Sequence, residues 1–78
     1  MKEIYIRDIK VKSKRGSIIS AVCGFESEVT AVVNGQKLNA KSIMNTPVID
    51  HADNVDFTII GVDEETAETA IKKLYDLN

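Results

Sequence analysis

Histidine is almost missing from this chain: there is one, His51, and none precedes it. Cysteine is as scarce. With Cys23 alone, no internal disulfide and no cysteine zinc cluster can form within one chain. A single thiol in a small unstapled domain fits a reducing compartment, so a cytoplasmic location is expected. No apolar run approaches the roughly 20 residues of a membrane helix. The start, Met1 to Tyr5, lacks the apolar core of a signal peptide. There is no excess of positive charge either. Ten basic against 12 acidic residues give −2 and a pI near 5.3, which excludes a general attraction to nucleic acid. Tryptophan is absent and aromatics make up 5% of the chain. No Gly-rich phosphate loop, nucleophile triad or metal cluster is present, so neither cofactor nor metal is expected. Asp50, Asp53 and Asp56 are spaced too loosely for a calcium loop.

What is there describes one small domain spanning residues 1–78. The apolar fraction of 44% and the charged fraction of 28% are ordinary for a globular protein. A chain this short buries only about 60–65% of its unfolded surface. Ile4, Tyr5, Ile6, Ile9 and Val11 read as a first strand, with a phase change at Arg7-Asp8 that predicts a bulge. The stretch from Lys10 through Lys12 and Lys14 to Arg15 is basic, and reads either as a solvated loop or as a docking patch for an acidic partner. Ile18, Ile19, Ala21 and Val22 predict a helix of barely two turns, with Ser17 as its cap and Gly24 as a left-handed stop. Ile18 and Ile19 lie on adjoining faces, so the chain is expected to be a monomer or a weak dimer. Cys23 reads as a small apolar residue at that helix end.

Val29 to Val33 and Lys37 to Ala40 flank Asn34-Gly35, the dipeptide best suited to a type I′ hairpin turn. Ser42-Ile43-Met44 opens a helical segment that Pro47 interrupts. Either a short turn ends by Asn45, or a helix starts with Thr46 as cap and Pro47 in its first position. Val55 to Ile59 alternates as a strand that Ile60-Gly61 ends. Asp63 then caps a helix with acidic residues in its first turn, an apolar stripe at Ala67, Ala70, Ile71 and Leu74, and Lys72 and Lys73 toward its end. The order βαββαβα predicts an α+β domain: a four-stranded antiparallel sheet with three helices on one face.

Several segments in this order resemble the HPr family of bacterial sugar-transport phosphocarriers. Gly35 to Met44, continuing to Val48-Ile49-Asp50, is similar to the family's serine-site signature, with Thr46 standing where an aliphatic residue is usual. Gly24 to Val29 resembles the segment entering the second strand, and Gly61 to Glu65 resembles the start of the last helix. The resemblance implies the HPr-like open-faced β-sandwich. It also implies a histidine at the start of helix one, followed by arginine and proline. A gapless count from Phe25 places that histidine on Val11 and the arginine on Ser13, with Lys14 or Arg15 as loose substitutes for the arginine.

Imidazole accepts and releases a phosphoryl group readily because it is nucleophilic near neutral pH and leaves well. Valine can do neither, and serine phosphates are too stable to serve as relay donors. The expectation is therefore a non-enzymatic protein without the phosphoacceptor, with no catalytic residues. His51 falls after Pro47, away from the implied transfer site, and reads as structural or merely exposed. In the family, the serine matching Ser42 is the target of a dedicated kinase, and the phosphorylated form is a corepressor for a catabolite-control transcription factor. The resemblance thus implies phosphorylation at Ser42, with Ile43, Met44, Lys41, Lys14 and Arg15 as partner contacts. Ser42 reads equally as a plain helix cap. An active phosphocarrier with an atypical acceptor, and an HPr-fold domain with an unrelated binding role, are the alternatives.

Overall fold

The computed structural model describes residues 3–10 and 16–75. Within them run β1 (Glu3–Lys10), α1 (Ile18–Val22), β2 (Glu28–Val33), β3 (Gln36–Asn39), a 3-10 turn (Ile43–Asn45), α2 (Thr46–Asp50), β4 (Asn54–Ile60) and α3 (Glu64–Leu74). The strands form one antiparallel sheet in the order β1-β4-β2-β3. This is the expected βαββαβα chain order. It puts the two long central strands, β4 and β2, side by side, with the hairpin strand β3 at one edge.

Strict alternation decides which face is covered. Val29, Ala31 and Val33 of β2 and Val55, Phe57 and Ile59 of β4 are buried, while the residues between them are not. The buried row meets Ile18 and Val22 of α1, Ile49 of α2, and Ala67, Ile71 and Leu74 of α3 in one core. Helix α3 lies against α1, β1 and β4, and α2 against α1 and β2. Phe57 and Tyr75 pack ring to ring, with centroids 5.8 Å apart and planes tilted at 44°. Among the described residues, no helix lies on the opposite face of the sheet.

Two local predictions have visible causes. Asn34 and Gly35 both take positive φ, 53° and 79°, as the type I′ turn demands. The β1–β4 register slips between Ile6 and Ile9, which is the bulge at Arg7-Asp8. Of the two alternatives around Pro47, the short turn ending by Asn45 is present, and a helix also follows, but with Asn45 and not Thr46 in the cap position and Pro47 second in the helix. A 3-10 turn spans Ile43–Asn45, and α2 then starts at Thr46 with Pro47 in its first turn.

Several expectations fail for physical reasons. Gly24 does not adopt the left-handed conformation; α1 closes through ordinary helical geometry at Cys23, whose N–H donates to the Ile19 carbonyl. Cys23 is exposed rather than packed. Asp63 precedes α3 but makes no side-chain cap bond there. Its carboxylate instead reaches back to the start of β2. It accepts the Glu26 N–H at 2.9 Å, the Ser27 N–H at 2.9 Å, and the Ser27 hydroxyl. These bonds hold its carboxyl below the ordinary range, the Ser27 hydroxyl contributing most. Gly61 lies under the same knot. A Cβ there would fall on the backbone and side chain of Ser27, far inside van der Waals contact.

Candidate partner-docking site

Ser42 sits between β3 and the 3-10 turn, in extended backbone with φ −84° and ψ 124°. Its N–H donates to the Asn39 carbonyl, and its own carbonyl accepts the Asn45 N–H at 3.1 Å and the Thr46 hydroxyl at 3.3 Å. The main chain around it is therefore fixed, while its side chain makes no cap bond. The plain-cap reading of Ser42 thus fails at the level of the hydroxyl. The residue is half-buried.

Ile43 and Met44 follow it directly, and they are 78% and 86% exposed. Val48, on α2, is also exposed. The reason is geometric. A three-residue turn followed by a five-residue helix has one inward position to spare, and Ile49 takes it. The apolar side chains on the other side are left in water. Val48 was not singled out in the sequence, although its place four residues after Met44 puts it within one turn of the same surface.

Lys41 belongs to this segment in a different way from that expected. Its ammonium donates to the Phe25 carbonyl, which ties the segment to the stretch leading into β2. Lys41 is thus a tether rather than a free partner contact. Lys14 and Arg15 lie outside the described residues, as do Val11 and Ser13.

The start of α1 is the other place where chemistry is expected. The helix begins at Ile18 with Ser17 as its preceding residue, so Ser17 stands at its entrance. Ser17 does not cap its own helix. Asp50, at the end of α2, does so instead. Its carboxylate accepts the Ser17 hydroxyl at 2.7 Å and the Ile18 N–H at 3.0 Å. An internal carboxylate therefore takes up the Ser17 hydroxyl and the first N–H of helix one. His51 is the residue after Asp50, exposed at the end of α2. Its expected remoteness from the first helix does not hold, because Asp50 carries that stretch of chain to the entrance. Beneath lies Tyr75, whose buried hydroxyl has no hydrogen-bond partner among the described residues. Burial, and secondarily the Asp50 charge, push its pKa up to about 12.

Among the described residues, no group of three histidine, cysteine or acidic side chains is placed to hold a metal. No helix among them is long and apolar enough to cross a membrane.

No family model matches the chain, and no curated protein does. Solved structures do. The crystal structure of HPr-C-His from Thermoanaerobacter tengcongensis superposes with a TM-score of 0.72 at 29% identity, covering 97% of this chain and 92% of that one. The chain has the HPr fold. In this HPr-fold domain the entrance of helix one carries serine and an internal aspartate, and Ile43, Met44 and Val48 are exposed in the segment that follows Ser42.

Proposed function

We propose that the chain is an HPr homologue of the sugar phosphotransferase system that lacks the phosphoacceptor histidine. It works in the cytoplasm as a regulatory protein–protein contact module and is not an enzyme. Its docking face is the 3-10 turn and α2, and phosphorylation of Ser42 controls it. By resemblance, the partners are the serine kinase that acts on HPr and a catabolite-control transcription factor. The observation that carries this reading is the pair Ile43 and Met44, exposed side by side immediately after a serine whose hydroxyl is free of cap bonds. Apolar side chains left in water at a fixed turn favour a partner that removes them from it. Adding about −1.5 to −2 charges at Ser42 changes what that partner meets.

The test is incubation with the HPr serine kinase and ATP, followed by intact mass measurement of the wild type and of Ser42→Ala. One phosphoryl group on the wild type and none on the variant is expected. An unmodified wild type disposes of control through Ser42.

One observation favours a second reading, an active carrier with an atypical acceptor. Asp50 brings the segment bearing His51 to the entrance of helix one. Against it, the carboxylate already there repels an incoming phosphoryl group and takes up the Ile18 N–H and the Ser17 hydroxyl. A third reading, an unrelated binding role on a retained fold, predicts neither modification.

A further inference from the structure

We propose that a groove at one end of the helix-free sheet face docks a cationic peptide segment of a partner protein. This surface is separate from the 3-10 turn and α2. The groove, about 410 Å³, is lined by Glu26, Glu28, Ile60, Gly61 and Val62. Gly61 is part of that lining, and its backbone is packed against Ser27 so closely that no side chain fits between them. Its apolar wall is Ile60, half-buried, and Val62, 72% exposed.

The sheet register places charge around that wall. Ile60 pairs with Glu3 on β1 and with Glu28 on β2, so exposed glutamates flank it on both sides. Neighbouring strands lie about 4.8 Å apart, which puts the two carboxylate-bearing positions roughly 10 Å apart across Ile60. Glu26 stands at the third side. Among the described residues no basic side chain forms a salt bridge with Glu26 or Glu28. Lys41 is committed to the Phe25 carbonyl, and Glu3 accepts the Tyr5 hydroxyl.

An apolar wall with carboxylates around it complements one kind of side chain. Lysine and arginine lay an aliphatic stem on apolar surface while the charged head reaches outward. Stem against Ile60 and Val62, with head at Glu28 or Glu26, satisfies both halves of the groove. An acidic or a neutral apolar segment satisfies at most one. An extended partner places alternate side chains on one face about 6.7 Å apart, and the long stems of two basic residues there cover the rest of the distance between the carboxylates on either side of Ile60.

The test is an NMR titration of the full chain with a short amidated peptide of alternating arginine and leucine. Shifts are expected at the Glu28, Gly61 and Val62 amides, fading as salt is raised. The double variant Glu26→Gln, Glu28→Gln should weaken binding about tenfold, while Glu64→Gln, Glu65→Gln on α3 should leave it unchanged. Four results would overturn the proposal: no shifts in the wild type; equal loss in the α3 variant, meaning charge attraction alone; equal binding of an all-leucine peptide; or concentration-dependent shifts at the same amides without peptide, meaning a second copy of the chain as occupant.

Discussion

Replacing Asp50 with alanine should loosen the first helix from the second, and the size of the effect follows from two bonds. The carboxylate accepts the Ser17 hydroxyl at 2.7 Å and the Ile18 N–H at 3.0 Å. Bonds to a charged group contribute about 1.5–3 kcal/mol each when buried. Asp50 and Ser17 are half-buried, so water recovers part of that loss. A lost helix cap costs about 0.5–2 kcal/mol. Combining the two, Asp50→Ala should destabilise the fold by about 2 kcal/mol. In a domain of this size that lowers Tm by roughly 8–16 °C. Asp50→Asn keeps an acceptor and should cost about half as much. Thermal and urea unfolding followed by circular dichroism give both values, and amide exchange at Ile18 locates the change. A double-mutant cycle with Ser17→Ala isolates the hydroxyl share, expected at about 0.5–1.5 kcal/mol. Tyr75 supplies an independent readout. Its pKa should fall from about 12 in Asp50→Asn, though not to 10, because burial is the larger cause of its shift. An Asp50→Ala variant within about 0.5 kcal/mol of wild type, or a cycle without coupling, would refute the reasoning.

Gly61→Ala forces a Cβ onto Ser27, where backbone lies in the way, and should cost about 3 kcal/mol or more by urea unfolding. Asp63 has a depressed folded pKa, so its stabilisation is present above the ordinary carboxylate value and is lost as pH falls through the folded one. Unfolding midpoints measured down to pH 2 should show that slope, and Asp63→Asn should remove it. Tyr75 runs the other way. Its folded pKa is raised, so its contribution is complete below pH 10 and disappears between 10 and about 12. Absorbance at 295 nm should show one of the two tyrosines titrating late. Tyr75→Phe removes a buried hydroxyl without a partner while keeping the ring against Phe57, so it should leave stability unchanged or raise it by about 1 kcal/mol.

Elements fixed by local chemistry were legible in the chain. The Asn34-Gly35 turn, the Arg7-Asp8 bulge and the α3 stripe each depend on a few neighbouring residues, and each lies where expected. Ile43 and Met44 were named only through the family resemblance, as partner contacts, and their exposure comes from the structure. The two aspartates were not legible. Asp63 bonds Glu26 and Ser27, and Asp50 bonds Ser17 and Ile18, across 32 to 37 residues of chain. Both look like ordinary local residues, because a carboxylate next to a helix carries no mark of which helix it serves. Lys41 illustrates the same limit: the family resemblance implied an external partner, and the fold also gives its ammonium the Phe25 carbonyl.

The central claim is that this HPr-fold chain holds no phosphoryl group in transferable form. The direct measurement is intact mass after incubation with phosphoenolpyruvate and the phosphotransferase that charges HPr, with a histidine-bearing HPr as a positive control. The account predicts an unchanged mass. An acid-labile adduct of one phosphoryl group, absent from His51→Ala, would contradict it and assign the transfer to His51.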